Sequence, residues 1–376
     1  MIPFNRPFII GKELDYIKQA VESGKISGDG LFTKKCQQYM EDRYGFKKVL
    51  LTSSCTDALE MCAILSDIQE GDEVIMPSFT FVSTANAFVL RGANIVFCDI
   101  RPDTLNIDAS RIEPLITPKT KAIVVVHYAG VACDMDPIMS IARKHRLLVI
   151  EDAALATEAF YKQIPLGSIG DLATYSFHET KNIIAGEGGA LLINNESFIE
   201  RAEIIREKGT NRSKFFRGET DKYNWVDIGS SFLPSEIIAA FLYGQLEQLE
   251  DIQKKRISIW NKYYQSLQEL ETQGFIRRPV IPGYATVNGQ MFYILCRSLK
   301  ERSDLIVYLL NKNIKAVFHY LPLHSSPFYK ERYSGKELEV TDRVSDTLLR
   351  LPLFYNLTDE EQEYIINSVY EFYHKL

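Results

Sequence analysis

No stretch of this 376-residue chain approaches the ~20 consecutive apolar residues of a membrane span. The densest run, Ile237–Tyr243, stops at Gly244-Gln245. The opening Met1–Pro7 lacks the basic and then apolar pattern of a secretory leader, so a cytoplasmic protein is expected. The six cysteines, Cys36, Cys55, Cys62, Cys98, Cys133 and Cys296, form no CxxC pair and no metal-ligand spacing. Reduced thiols and no metal site follow as expectations. Basic excess is missing too: 43 Lys and Arg face 49 Asp and Glu, a net charge of −6, which argues against nucleic acid or a membrane surface as partner. Neither GxxxxGK[ST] nor HExxH occurs, and there is no repeat or low-complexity tract.

What is present is an ordinary globular composition, 46% hydrophobic and 24% charged, in a chain long enough for a large domain and a smaller one. Asp72–Met76, Asn94–Cys98, Ala122–Val126 and Leu147–Ile150 are short β-branched apolar runs with helical patterns between them, such as Pro137–His145. Continuous apolar strands alternating with helices predict an α/β fold with a mostly parallel sheet covered on both faces. Ligand sites in such sheets form where strands end and helices begin. After about residue 235 the rhythm changes. Pro234–Leu267 reads as long and helical. Phe292–Cys296 reads as a strand, Ser303–Asn311 as a helix, Ala316–Tyr320 as a strand, and Asp359 to about Tyr373 as a closing helix. Residues 1–245 are expected to form the large domain and 246–376 the small one.

Four motifs carry chemistry. In Ala173–Asn194, ATYSFHETKNIIAGEGGALLIN, two apolar strands flank Lys181 and a glycine-rich turn. A lysine at a hairpin tip, in a setting of low polarity, suits imine formation; a solvated surface charge is the plain alternative. In LLVIEDAA (147–154), Asp152 at a strand end points toward a ligand crevice and can keep a pyridine nitrogen protonated, or can simply cap the next helix. In VLLTSSCTDALEM (49–61), hydroxyls meet a helix N-terminus, which is a phosphate site or an ordinary N-cap. In MPSFTFVSTANA (76–87), Phe79 and Phe81 offer a ring to stack on a planar cofactor, or core packing.

In that order, the motifs resemble the DegT/DnrJ-type sugar aminotransferases among the fold-type-I pyridoxal-phosphate enzymes. The resemblance runs over nearly the whole chain, through IPFNRP, SGKISGDGLFTKKCQQYME, PSFTFVSTANA, VHYAG, EDAA, SFHETKN, GEGGA, KGTNRS, HYLPLH and LPLFYNLT. It implies a seven-stranded, mostly parallel sheet in the large domain and a smaller C-terminal α+β domain. Pyridoxal 5'-phosphate is the implied cofactor, with Lys181 as its covalent partner and proton carrier and Asp152 as partner of its ring nitrogen. Cys55, Thr56 and Ser176 match phosphate contacts, Phe81 the covering ring, and His127 a strand-end position near the cofactor. Ser231 stands where relatives place an asparagine that reaches across a homodimer, so shared active sites are implied. Leu155 stands where relatives carry a glutamine beside the cofactor, so its tuning should differ here.

The implied substrates are L-glutamate as amino donor and a dTDP-linked 4-keto-6-deoxyhexose, giving dTDP-4-amino-4,6-dideoxygalactose for surface polysaccharide such as enterobacterial common antigen. A 3-keto or UDP-linked sugar is an alternative substrate. A sugar dehydratase is disfavoured because such relatives replace the lysine with histidine, and a non-catalytic binding paralogue has only Leu155 to suggest it. For the nucleotide sugar, the basic and aromatic segment Lys208–Trp225, with Arg212, offers cations for a diphosphate or is an ordinary surface loop. Ser27 and Asp29 are expected to line the sugar pocket, and His319 and His324 either approach the sugar or are structural.

Overall fold

In the computed structural model, which describes residues 1–375, the apolar runs become neighbouring strands. They are β1 (Lys48–Thr52), β2 (Glu73–Pro77), β3 (Asn94–Cys98), β4 (Thr120–Val126) and β5 (Leu148–Asp152). A small hairpin, β6 (Phe160–Tyr161) and β7 (Ile164–Pro165), precedes β8 (Leu172–Ser176) and β9 (Gly189–Ile193). Seven of these form one sheet in the order β1-β9-β8-β5-β4-β2-β3. Pairing is parallel from β8 through β5, β4 and β2 to β3, and antiparallel at β8–β9 and β9–β1.

Helices α1 (Glu13–Glu22) and α2 (Leu31–Tyr44) precede the sheet, and α3 (Cys55–Leu65), α4 (Val82–Val89) and α5 (Met135–His145) fill the crossovers that parallel strands require. Strand alternation then sorts side chains between two cores. On β4, Ile123 and Val125 join Met135 and Ile138 of α5, while Ala122 and Val124 join Leu59 and Cys62 of α3. Covered on both faces, the strands gain from apolar residues at every position, which explains their unbroken runs.

Beyond β9 come α6 (Ile199–Arg206), α7 (Arg212–Phe216), α8 (Glu236–Glu247), α9 (Leu249–Ser266) and α10 (Gln268–Thr272). Then follow β10 (Phe292–Leu295), α11 (Leu299–Asn311), α12 (Glu339–Thr347), β11 (Leu348–Leu351) and α13 (Asp359–Tyr373). The helical stretch expected over Pro234–Leu267 is two helices that meet at Gln248. Antiparallel β10 and β11 pack with Trp260 and Tyr263 of α9, Leu305 and Leu309 of α11, and Ile365 and Val369 of α13 in a separate core. Side chains fix where these helices begin: Ser298 caps α11, and Thr358 with Glu361 forms a reciprocal box on α13. A cap of this kind contributes ~1 kcal/mol.

The strand expected at Ala316–Tyr320 does not form. Only Val317 bridges to Arg350, the Phe318 carbonyl is taken by the Arg350 side chain, and Pro322 cannot donate to a ladder. An N-terminal strap crosses this region. Ile2 pairs in parallel with Ile314, the Phe4 ring lies 4.7 Å below the Arg350 guanidinium, and Asn5 Nδ2 donates to the Glu179 carbonyl at 3.0 Å. Among the described residues, no helix is long and apolar enough to cross a membrane.

Candidate active site

Lys181 lies in the connection between β8 and β9, whose register sets Ser176 opposite Gly189. Phe177 N–H donates to Gly188 O at 2.8 Å and Glu179 N–H to Gly186 O at 2.9 Å, which carries the hairpin beyond the sheet. Neighbours on both sides of the lysine are tied down. Gln290 Nε2 donates to Thr180 O at 3.0 Å, and buried Asn182 Nδ2 donates to Asn288 O at 2.7 Å. Burial depresses the proton affinity of the Lys181 amine, and the Arg350 charge adds to it against the opposing influence of Cys55 and Asp152. A depressed lysine is a better nucleophile and base near neutral pH.

Asp152 closes β5 and is buried. Thr84 Oγ1 donates to its Oδ2 at 2.6 Å, Ala154 N–H reaches Oδ1 at 3.2 Å, and Thr80 braces Thr84 at 2.8 Å. Its neighbour Glu151 points to the opposite face, where it accepts from Gly167, Ile169 and Gly170 N–H at 2.9, 2.8 and 2.6 Å. His127 belongs to that face. Its Nε2 lies 2.8 Å from Glu151 Oε2, and Cys133 N–H donates to its Nδ1 at 3.1 Å. Both ring nitrogens therefore have protein partners.

The start of α3 forms a cradle. Ser54 Oγ accepts from Asp57 N–H at 3.1 Å, leaving Cys55 and Thr56 N–H in the first turn without intrahelical acceptors. Thr56 Oγ1 bonds Ser83 at 2.8 Å, and Cys55 Sγ lies 3.4 Å from Thr174 Oγ1. Burial, seconded by Asp152, pushes the Cys55 thiol up to about 12, so it is neutral at pH 7. Gly189 lets the cradle approach the sheet: a Cβ there would stand 2.4 Å from Cys55 N. Exposed N–H groups at the positive end of a helix suit a phosphate.

An aromatic wall faces these groups. Buried Phe79 has its ring 5.1 Å from Tyr128 and 5.6 Å from Tyr320, whereas Phe81 is 57% exposed at the start of α4, 6.3 Å from Tyr320. His319 stacks on Tyr320 at 3.6 Å, and its Nδ1 lies 2.7 Å from Tyr128 Oη. Burial and the charges of Arg350 and Lys181 hold His319 well below the usual histidine range, so it is neutral. Leu155 is buried in the same wall with Phe79, Tyr128 and Tyr293, its carbonyl held by Asn288 at 2.8 Å.

The remaining expected residues make other contacts. Ser27 is exposed, and Asp29 forms an ion pair with Arg206 at 2.7 Å. Exposed Arg212 lies 3.4 Å from Glu207, and exposed Ser231 bridges Glu207 through its backbone. His324 takes Ser78 Oγ at 2.8 Å and faces Asp342 at 3.5 Å. Thr84, Tyr128 and Arg350 are site residues that the motif reading missed. An arginine inside the apolar run LLRLPLF was the one available signal.

Comparison with known proteins fits this geometry. Residues 7–370 match the family described as the DegT/DnrJ/EryC1/StrS aminotransferase family. The spore coat polysaccharide biosynthesis protein SpsC of Bacillus subtilis (strain 168) is 32% identical, over 98% of this chain and 96% of that protein. GDP-perosamine synthase of Escherichia coli O157:H7 is also 32% identical, over 99% and 98%. Among solved structures, the putative sugar aminotransferase Spr1654 of Streptococcus pneumoniae in its PLP-form has a TM-score of 0.90 at 26% identity, covering 100% of this chain and 99% of that one.

Proposed function

The chain belongs to the DegT/DnrJ/EryC1/StrS aminotransferase family and is a pyridoxal-phosphate-dependent aminotransferase; from that premise, we propose that it aminates a keto sugar carried by a nucleotide. The observation that carries the reading is the meeting of a buried lysine of lowered proton affinity, an oriented strand-end carboxylate and a helix-start cradle. These residues fit the cofactor. Cys55 and Thr56 N–H with the Ser176 hydroxyl would hold its phosphate, Asp152 its ring nitrogen and Lys181 its carbonyl carbon.

When bound, the cofactor supplies an electron-accepting ring and a temporary place for the amino group. The protein supplies the rest. As a free amine, Lys181 Nζ would be the nucleophile toward the cofactor's carbonyl carbon and, whenever it is not joined to that carbon, a general base. Thr84 keeps the Asp152 carboxylate aimed, and the wall of Phe79, Tyr128 and Tyr320 shields the reacting face from water.

In finer detail, the donor is L-glutamate and the acceptor a dTDP-linked 4-keto-6-deoxyhexose, giving dTDP-4-amino-4,6-dideoxygalactose for surface polysaccharide. A GDP-linked sugar is the competing acceptor, since a relative identical at 32% is named for one. The proposed assembly is a cytoplasmic homodimer in which the exposed segment holding Arg212 and Ser231 meets a second copy. The proposed boundary between large and small domains, at residues 245–246, falls near the end of α8.

The test is an absorption spectrum with pyridoxal phosphate, before and after L-glutamate, for the wild type and Lys181→Ala. Expected is a visible band in the wild type that glutamate removes and that a nucleotide keto sugar restores. Lys181→Ala should form no such band. A wild type that binds cofactor but leaves glutamate and every nucleotide keto sugar unchanged would sink the proposal.

A further inference from the structure

Among the described residues, no carboxylate forms an ion pair with Arg256 of α9, although its side chain is fully buried and burial pulls its pKa down to about 9. Arg206 has Asp29 at 2.7 Å and Arg278 has Glu271 at 2.7 Å. Arg302 also lacks an ion pair, but its Nε and Nη1 have no hydrogen-bond partner and its guanidinium lies over the Phe318 ring. Arg256 is engaged by backbone instead. Its Nε donates to the Gly289 carbonyl at 3.1 Å and its Nη2 to the Gln290 carbonyl at 3.0 Å. One turn earlier on the same face of α9, Gln253 Nε2 donates to the Asn288 carbonyl at 2.6 Å. Three successive carbonyls therefore face one helix. Extended backbone turns successive carbonyls to opposite sides, and Gly289, at φ +63°, supplies the departure. The seat is close: a Cβ on Gly289 would stand 2.7 Å from the Arg256 carbonyl carbon. A buried, unpaired charge is costly where an apolar side chain could pack the same helix, so what it holds needs a reason.

The reason lies on the far side of segment 288–290. Asn182 Nδ2 donates to the Asn288 carbonyl at 2.7 Å and Gln290 Nε2 to the Thr180 carbonyl at 3.0 Å, so both chain neighbours of Lys181 hang on this segment. Asn288 Nδ2 also donates to the Leu155 and Thr157 carbonyls, at 2.8 and 3.0 Å, in the loop that follows Asp152. The segment thus joins α9 to the lysine loop and to the end of β5. Its own ties to those loops are side-chain amides, which lose their aim if the backbone beneath them moves. Arg256 fixes that backbone at two adjacent carbonyls with one planar fork. Asp152 and the cradle at α3 are held separately, by Thr84 and by Ser54.

We propose that Arg256 is a positioning residue for Lys181: through the Gly289 and Gln290 carbonyls it fixes the segment that aims the lysine amine. Enclosed as it is, Arg256 itself meets no ligand. The proposal deepens the aminotransferase reading and rests on Lys181 as the residue that takes the cofactor. Its consequence is selective. Loosening the segment should slow the step in which the Lys181 amine adds to the cofactor's aldehyde carbon and water leaves, while the phosphate and ring-nitrogen contacts persist.

The experiment compares apoprotein of the wild type, Arg256→Met, Arg256→Lys and Gly289→Ala. Two quantities are measured: the dissociation constant of pyridoxamine phosphate, which has no aldehyde, and the rate of covalent capture of pyridoxal phosphate, fixed with borohydride and mapped to Lys181 by mass spectrometry. In Arg256→Met capture should slow roughly 10- to 100-fold, with pyridoxamine phosphate binding within about threefold of the wild type. Arg256→Lys keeps a donor for one carbonyl and should recover part of the rate. Gly289→Ala should slow capture too, since it displaces the segment without removing the arginine. Unchanged capture in Arg256→Met, or slower capture matched by an equal loss of pyridoxamine phosphate binding, would overturn the proposal. Hydrogen exchange at residues 180–182 separates it from the wider reading. If the wild type captures the cofactor elsewhere than at Lys181, exchange about tenfold faster in Arg256→Met still supports the brace, and unchanged exchange overturns it. Should Arg256→Met not fold, Arg256→Lys and Gly289→Ala decide the question.

Discussion

Replacing Gly189 with alanine tests whether the cradle at α3 depends on close packing against the sheet. The new Cβ would lie 2.4 Å from Cys55 N and 2.5 and 2.6 Å from the Ser54 carbonyl carbon and oxygen. All three are backbone atoms and cannot swing aside. Since ordinary contact begins near 3.4 Å, the start of α3 must retreat by about 1 Å. Overpacking on this scale costs ~1–3 kcal/mol of stability. The retreat also misplaces the Cys55 and Thr56 N–H groups, and a charge-assisted hydrogen bond contributes ~1.5–3 kcal/mol. Losing one of the two should raise the dissociation constant for pyridoxal phosphate roughly 10- to 150-fold. The assay is a titration of the apoprotein with cofactor, followed by absorbance, beside a urea melt. Gly188→Ala is the internal control, because a Cβ there meets its nearest atoms at an ordinary 3.5 Å. The reasoning fails if Gly189→Ala binds cofactor within twofold of the wild type, or if Gly188→Ala loses as much.

Two more predictions concern titrating groups. Burial alone would raise the Glu151 carboxyl, but His127 and the loop N–H groups outweigh it and hold its pKa below the ordinary 4.5. Its stabilisation is thus present above about pH 4.5 and lost as the pH falls through the folded value. Glu151→Gln should cost ~3–5 kcal/mol at pH 7 in a urea melt, and the difference from the wild type should shrink in acid; a pH-independent difference would contradict this origin. For Lys181, the folded pKa is depressed below 10.5, so the unfolded chain binds a proton that the folded chain releases. Apoprotein stability should rise with pH between the folded value and 10.5, and the rate of cofactor uptake should level off before 10.5. Lys181→Met removes that slope; equal slopes in the two melting series from pH 7 to 10 would refute it.

How much the residues disclose depends on how local each signal is. The closing helix Asp359–Tyr373 and strand Asn94–Cys98 are found where periodicity and end signals place them, because a capping box or a β-branched run is complete within its own segment. Lys181, Asp152 and Cys55 are legible for a related reason: each stands at the end of a strand or the start of a helix, where the chain must deliver a side chain to the crevice. The direction of His127 is hidden because parity decides it, and its contact with Glu151 is known only once β4 and β5 are paired. Arg350 and Tyr128 escape notice because they meet only through the packing of β10 and β11 over the sheet. The expected strand at 316–320 fails because a side chain, and not a neighbouring strand, claims its carbonyl.

The strap at residues 2–5 sets an order of events during synthesis. Ile2 finds its pairing partner at Ile314, with Ile2 N–H on the Asn313 carbonyl at 2.7 Å and Lys315 N–H on the Ile2 carbonyl at 3.0 Å. Phe4 finds its own partner at Arg350. Residues 2–4 must therefore wait for more than 300 further residues to emerge before they can dock. Asn5 reaches the Glu179 carbonyl, two residues from Lys181, only from that docked position. The nascent chain thus gives the Lys181 loop this brace only after residues 314 and 350 have been made, when the groups that surround the amine already exist.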